Sequence, residues 1–527
     1  MLLRFLKVGK KSKRIFSRHV FTVLTALLFL INAEILAQRE YNYAPRPNII
    51  IYLTDDLGYG DLSVYGHPFM KTPHLDKFAG EGVLMTDMHA AATVCSPSRA
   101  AILTGRNGYR SGYYNITGFF GTTLNKDEIT LPQLLQKSGY ETAFFGKWHL
   151  SRLEKANEAT VNEMGFDFSL ATSVNAFNTG PHDPDRFIKN GIAVGEKKGW
   201  YVDILTDEAI AWMSSRQYKD RPFFMMLATH EPHTPIDPPK GFTNLYENEE
   251  IEYLSQSIKY GGVSRPKRNI NGFKKEYYGT VSQVDAAFGK LMDFLDKEGL
   301  SDNTLVIFTS DNGPEYPVTL EESNGEWEDP IRDKSFGTPG ELRGMKRFPY
   351  EGGHRVPGLA RWPGHIPAGL ISDELFNGTD FLPTLCNLAG VALPEERHFD
   401  GANAFNAFLG KKYTRATPPI WFFLLNSSHM PGMVQMSMRH GDYTLIGKLT
   451  PERKDFPKVS LEKKYAAVDW LKTAMPTQFE LYNIKKDLAQ QNDLSGIAYD
   501  TLIHVIPKMQ KLWLEIRDEG PWWGRDQ

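Results

Sequence analysis

The chain has 527 residues, 41% of them apolar, which suffices for a large buried core in one or two domains. Its net charge of −3 gives no electrostatic basis for holding nucleic acid. Two cysteines allow one disulfide at most, which excludes a disulfide-held scaffold.

Residues 1–37 read as an export signal. Met1 to His19 is rich in Lys and Arg, and Val20 to Ile31 is an apolar run too short for a comfortable membrane span. "INAEILAQ" then offers small residues for cleavage near Ala33 or Ala37. A periplasmic or secreted protein is expected, with an uncleaved N-terminal anchor as the alternative. Beyond the signal, apolar strands alternate with helical patterns. "NIIIYL" from Asn48 is a β-branched run typical of a buried parallel strand. "TLPQLLQKSG" predicts a helix closed by Gly139, and "YETAFFG" and "RPFFMMLATH" predict strands. Between Glu276 and Glu298 the apolar residues Val281, Val284, Phe288, Leu291 and Leu295 recur at helical spacing, and "NTLVIFTS" follows as a strand. The alternation predicts an α/β fold, a large mainly parallel sheet sandwiched by helices, over residues 45–414. Ser151 to Trp200 and Lys240 to Lys275 read as long surface excursions that could face substrate. After Thr414, "YTLIGKL" and "QFELYNIKKD" predict strands, and "TLIHVIPKMQKLWLEIRDEG" an amphipathic helix. Residues 415–527 are therefore expected to form a smaller α+β domain.

In open α/β sheets ligands bind beyond the carboxyl ends of strands. The first strand ends in "TDDLGYGD", where Asp55 and Asp56 are adjacent and repel unless a cation or protons hold them. A late strand ends in "SDNG", with Asp311 and Asn312. Four oxygen-bearing side chains suit Ca²⁺ or Mg²⁺ better than zinc. "FFGKWHL" supplies Lys147 and His149, which in an extended segment point the same way. "LATHEPHTP" supplies His230 and His233 without a third nitrogen or sulfur partner at zinc spacing, so acid–base work is the better reading. "RGMKRFPYEGGHRVPG" adds Lys346 in a Gly- and Arg-rich loop. For each motif alone the plain alternative is a turn, a cap or a solvated charge. Their placement after separate strands is what that alternative handles poorly.

"TVCSPSRAAILTGR" (Thr93 to Arg106) holds Cys95, while Cys386 in "FLPTLCNLAG" reads as a buried helix residue. Ser96 can cap a helix and Pro97 fits its first position, which places Cys95 just before a helix N-terminus that favours negative charge. Arg99 adds a fixed cation. Cys95 is expected in a surface cleft, and a simple thiolate nucleophile is one reading.

"CSPSRAAILTGR" closely resembles the signature of the type I sulfatases of the alkaline phosphatase-like superfamily. The resemblance extends through "DDLGYGD", "GKWH", the loop of His230 and His233, "SDNG" and the segment from Lys346 to Pro357. Together these cover roughly Asn48 to Gly364, and "FELYNIKKDLAQQNDLS" resembles the family's C-terminal segment. The resemblance implies conversion of Cys95 to formylglycine (3-oxoalanine) by a maturation enzyme during export. It implies one Ca²⁺ held by Asp55, Asp56, Asp311, Asn312 and an oxygen of residue 95. Arg99 and Lys147 would orient that residue and the sulfate. The aldehyde hydrate would attack sulfur, with His230 and Lys346 assisting the leaving oxygen and His149 taking a proton to restore the aldehyde. His230 is preferred to His233 as leaving-group acid, and His233 is expected to touch substrate. The implied substrate is a sulfated saccharide, and "FGTPGELRGMK" resembles enzymes acting on galactose- or N-acetylgalactosamine-type sugars. Two alternatives stand beside this reading. One is a formylglycine-dependent phosphonate or phosphodiester hydrolase. The other is a non-catalytic protein that binds sulfated glycans, with Cys95 unmodified.

Overall fold

The computed structural model describes residues 46–118, 122–174, 180–248, 271–315, 335–423, 434–449 and 469–521. The export signal of residues 1–37 lies outside them, as does most of the segment between Lys240 and Lys275.

The sheet is built around β1 (Asn48–Asp55), whose eight residues are all buried, as in a strand covered on both faces. In chain order there follow β2 (Val83–Met85), β3 (Met88–His89), β4 (Glu141–Lys147), β5 (Phe168–Thr172), β6 (Phe187–Lys189) and β7 (Ile192–Gly195). Next come β8 (Phe223–Pro232), β9 (Thr304–Ser310), β10 (Gly358–Arg361), β11 (Leu370–Ser372) and β12 (Phe376–Asn377). Among the described residues one ten-stranded sheet runs β11-β2-β10-β9-β1-β8-β4-β5-β6-β7. Its centre, from β9 to β5, is parallel throughout. Antiparallel pairs flank it at β10 and at β6 and β7. The predicted α/β class with a mainly parallel sheet is the observed one.

Alternation along β1 splits the core into two layers. Ile49, Ile51 and Leu53 pack with Ala100, Ile102 and Leu103 of the helix Cys95–Thr104 and with Leu131 and Leu135 of the helix Leu131–Lys137. Ile50 and Tyr52 face the other way, onto Leu205 of the helix Tyr201–Ser215 and Val284 and Phe288 of the helix Asn271–Lys297. Each fully buried aliphatic side chain of this kind contributes roughly 1.5–3 kcal/mol, so the central strands are the most firmly held part of the molecule.

The C-terminal part forms an antiparallel sheet of β13 (Ile420–Phe423), β14 (Gln435–His440), β15 (Tyr443–Lys448) and β16 (Gln478–Asn483), in that order. The helix Tyr499–Glu519 lays Val505, Met509, Leu512 and Ile516 against it, at the predicted spacing. Only β15 and β16 were expected. β13 is a four-residue apolar run, and β14 alternates Met436 and Met438 with Gln435, Ser437 and Arg439, a signal the sequence reading passed over.

Two other expectations change. Ser151 to Trp200 is not a plain excursion, because β5, β6 and β7 lie in it and extend the main sheet. The helix expected from Glu276 begins at Asn271. Among the described residues no helix is long and apolar enough to cross a membrane.

Candidate active site

The predicted polar residues converge at the carboxyl ends of four adjacent strands, β9, β1, β8 and β4. Neighbouring residues of a strand normally point to opposite faces. Asp56 escapes this with a left-handed φ of 65°, so both Asp55 and Asp56 turn into the same space. His149 likewise has φ 57°, so the chain has left the extended conformation when it reaches that ring. The expectation that Lys147 and His149 share one face of an extended segment is therefore corrected: β4 stops at Lys147, and a turn aims the histidine. Arg347, beside Lys346, has φ 79°. Left-handed non-glycine residues cost about 1–3 kcal/mol each and persist where the surroundings fix them. Glycine is required just before Lys147. Gly146 has φ 106°, and a Cβ there would lie 1.9 Å from the Ala228 carbonyl oxygen of β8.

The charges interlock. Lys147 donates to Asp55 Oδ2, and Arg99 Nε donates to Asp311 Oδ2 at 2.8 Å. Lys346 Nζ lies 2.7 Å from Asp56 Oδ2 and 3.3 Å from Glu315 Oε2. Asn312 Nδ2 donates to Asp56 Oδ1 at 2.6 Å. Three groups nevertheless remain unsatisfied. Asp55 Oδ1 and Asn312 Oδ1 accept no hydrogen bond, and Arg99 Nη2 donates none, although all are buried. A ligand oxygen each of Asp55 and Asp311 and the sulfur of Cys95 lie within 4.8 Å of one another. Burial pushes Asp55 up, but Lys147, His233 and Arg99 outweigh it and hold the carboxyl well below its ordinary range. Its neighbours go the other way. Burial raises Asp56, with the charge of Asp55 reinforcing it against Lys346. Burial and then Asp55 push Asp311 up to about 7. Facing carboxylates with unfilled oxygens are the electrostatics of a cation site that protons fill in the cation's absence.

Cys95 is the first residue of its helix, with Val94 in extended conformation before it and no side chain capping the first turn. The expected cap therefore moves. Ser96 lies inside the helix, where its hydroxyl donates to the His149 carbonyl at 2.7 Å and accepts from the Thr117 amide at 2.9 Å. Thr117 donates to the same carbonyl at 2.6 Å, which ties the Cys95 helix to the end of β4. Cys95 is only 2% exposed, not set in an open cleft. Burial pushes its thiol up by more than Lys147 and Lys346 pull it down. The simple thiolate reading is thus disfavoured, because the dry surroundings keep the sulfur protonated.

The histidines are held neutral. Burial, then Lys147 and Arg99, put His149 well below its ordinary value, and its buried Nδ1 has no hydrogen-bond partner. Burial lowers His230 to about 4, and its Nε2 sits 3.2 Å from the Pro235 carbonyl. His233 is lowered by burial and Lys346; its Nδ1 lies 2.5 Å from the Thr234 carbonyl and its Nε2 3.5 Å from Asp56 Oδ2.

Sequence reading missed Glu315 and Arg347. Their side chains pair with each other, and Glu315 also meets Lys346. The one signal for Glu315 was its place directly after the turn that follows Asp311 and Asn312. Nothing in sequence separated Arg347 from the other basic residues of its loop.

The chain matches the family model described as Sulfatase over residues 47–391, and the model described as N-sulphoglucosamine sulphohydrolase, C-terminal, over residues 343–448. It is 31% identical to the N-acetylgalactosamine-6-sulfatase of Sus scrofa over 73% of this chain and 70% of that protein. It is 32% identical to the Arylsulfatase G of Rattus norvegicus over 70% of each. Among solved structures it resembles Ps i-CgsB, crystallised with k-i-k-neocarrahexaose, at 25% identity and TM-score 0.69, covering 91% of this chain and 95% of that one. A phosphonate monoester hydrolase of Agrobacterium radiobacter shares the fold at 17% identity and TM-score 0.58, over 90% of this chain and 96% of that one. The chain belongs to the sulfatase family of the alkaline phosphatase-like superfamily and is a sulfuric ester hydrolase.

Proposed function

We propose that the protein removes sulfate ester groups from a sulfated carbohydrate, using Cys95 as formylglycine and one Ca²⁺ held by Asp55, Asp56, Asp311 and Asn312. The observation that carries this is the approach of Asp55 and Asp311 to the sulfur of Cys95, within 4.8 Å, with Asp55 Oδ1 and Asn312 Oδ1 accepting no hydrogen bond. The donor set is all oxygen, which fits a hard cation. Such an ion, when bound, would neutralise charge on the sulfate oxygens. The aldehyde hydrate at residue 95 supplies a hydroxyl nucleophile and a second hydroxyl through which the aldehyde is restored.

The chain's own residues account for binding and proton movement. Arg99 Nη2 donates to the sulfate, and Lys147, fixed on Asp55, holds positive charge beside it. Burial opposes charge on Lys346, but Asp56 and Glu315 outweigh it and raise its pKa, so its ammonium stays charged beside the leaving oxygen. His149 is neutral with an unpartnered Nδ1, as a base requires, and takes the proton there. His230 directs one nitrogen to the Pro235 carbonyl, so as an acid it must first be doubly protonated. A bound sulfate opposes the lowering of its pKa and supplies that condition. His233 lies beside Asp56 and contacts the substrate.

Residues 1–37 direct export to the periplasm or outside, where a maturation enzyme has already met the chain. The catalytic domain spans residues 45–414 and the smaller domain 415–527. Relatives named for N-acetylgalactosamine 6-sulfate favour a galactose- or N-acetylgalactosamine-type sugar. Sulfate release from a panel of sulfated mono- and oligosaccharides, read by ion chromatography, tests the substrate class. Activity confined to phosphonates or phosphodiesters would overturn it. Mass spectrometry of the Cys95 peptide tests the nucleophile, since an unmodified thiol in active enzyme would remove formylglycine from the reading.

A further inference from the structure

A cavity of about 730 Å³ opens where the C-terminal sheet and helix meet the segment leading into β13, and its lining contains none of the residues assigned to sulfate cleavage. Its walls come from separate stretches of chain: Lys412 and Tyr413 before β13, the β14–β15 turn, Lys485 after β16, and Lys508 and Lys511 on the helix Tyr499–Glu519. Asp87 closes one side. Its carboxylate is already taken up, by Arg355 and His89 on Oδ1 and by Arg439 on Oδ2.

Several cations of the lining are not neutralised. Among the described residues Lys412 has no carboxylate within 4.0 Å. Lys508 donates to the neutral acceptor His440 Nε2 at 3.1 Å, and Lys511 has only a long 3.8 Å approach to Glu515. The lining also carries carboxylates, Asp442 and Glu374 among them. This near balance is wrong for a densely charged polyanion such as nucleic acid. It suits a saccharide in which sulfates are spaced by hydroxyls. Lysines would meet the sulfates, and carboxylates would accept from the hydroxyls. The volume falls in the range of small-ligand sites, enough for a few sugar rings, and Tyr413 and two prolines supply an apolar wall.

We infer that this cavity is a second, non-catalytic binding site for a stretch of sulfated saccharide chain. It rests on the reading of the substrate as a sulfated carbohydrate. By holding the polymer, it keeps further sulfate esters near the catalytic residues through effective concentration.

The experiment uses the full chain with Cys95→Ala, so that binding is read without turnover. Chondroitin sulfate is the probe, with uncharged dextran and polyglutamate as controls, by affinity electrophoresis. Lys412→Ala with Lys508→Ala should weaken chondroitin sulfate binding roughly 3- to 10-fold. Lys412→Arg with Lys508→Arg should restore it. In the Cys95 enzyme, the alanine pair should lower the ratio of kcat/KM on polymer to kcat/KM on a small aryl sulfate by a similar factor. Unchanged chondroitin sulfate binding in the alanine pair would overturn the inference, as would an equal weakening of polyglutamate binding, which marks general charge attraction. If no sulfated saccharide is ever hydrolysed, the proposed substrate fails, while the binding comparison still decides the cavity.

Discussion

Two buried charge clusters draw on the segment from Lys346 to Arg355, Lys346 in one and Glu351 and Arg355 in the other, and they are built from the same residue types to opposite effect. Around Asp87, arginines and carboxylates cancel in pairs. Burial pushes Asp87 up, but Arg355, Arg439 and His89 outweigh it and hold the carboxyl well below its ordinary range. Asp87, His89 and Glu351 could geometrically hold a metal, yet Arg355 and Arg439 already occupy that space. Around Cys95 the carboxylates of Asp55, Asp56 and Asp311 face one another, and Asp311 is pushed up to about 7. A cluster whose charges are matched in place holds the fold together. A cluster whose carboxylates crowd one another, although Arg99, Lys147, Lys346 and Arg347 stand among them, is poised for a ligand.

The contrast breaks most sharply at Cys95. Cys95→Ala should cut sulfate release by at least about 10³-fold, with an unchanged circular dichroism spectrum. Near wild-type turnover in the purified variant would end the nucleophile assignment. The next test exchanges the two clusters. Asp311→Ala should lower calcium content and activity together, read by elemental analysis and sulfate release. Asp87→Ala should leave calcium content alone but cost about 3–5 kcal/mol in urea unfolding, because it strands buried arginines. Tightly bound zinc with no calcium requirement would refute the ligand set.

The histidines sharpen the comparison within the catalytic cluster. His230→Ala should cost on the order of 10²-fold on a sugar sulfate, whose alkoxide leaves poorly, and little on an aryl sulfate with a good leaving group. Equal losses on both would pass the role of acid to His233. His149→Ala should slow both substrates alike.

The smallest effect is on pH dependence. A carboxyl raised in the folded state binds its proton more tightly there than in the unfolded chain. Its contribution to stability is therefore largest at low pH and is lost as pH rises from about 4 to about 7. Chelator-treated enzyme should melt at a lower temperature at pH 7.5 than at pH 5.5 as far as Asp311 is concerned, and added Ca²⁺ should raise the pH 7.5 value most. A chelator-treated Asp311→Asn protein should lose that part of the slope. An unchanged slope would mean that Asp311 does not titrate there.

The convergence of polar residues around Cys95 was legible in sequence because each of its parts is local. A short apolar run names a strand, and the polar residues directly after it must lie at its carboxyl end. Glu315 and Arg347 were not legible, since their partnership depends on how two loops fold toward each other. Gly313 shows how close those loops come: a Cβ there would lie 2.1 Å from the Gly352 carbonyl oxygen. The Asp87 cluster was invisible for the same reason. Arg439 belongs to β14, 352 residues away in the chain, and the alternation of Met436 and Met438 along that strand does not say which distant carboxylate Arg439 meets. The burial of Cys95 was misjudged because its polar neighbours Ser96 and Arg99 find hydrogen-bond partners inside the protein, at His149 and Asp311.

That burial also fixes an order in time. A side chain 2% exposed, at the start of a helix whose preceding Val94 is clamped in the core with Phe348 and Tyr350, cannot be threaded into the catalytic groove of another enzyme. If Cys95 is oxidised to an aldehyde, the chemistry has to happen on the nascent or translocating chain, before the strands of the C-terminal sheet arrive. Folding then acts as a deadline. Molecules that close too early are sealed with a thiol inside, and a mixed population of active and permanently silent copies is the mark this would leave on any preparation made faster than its maturation.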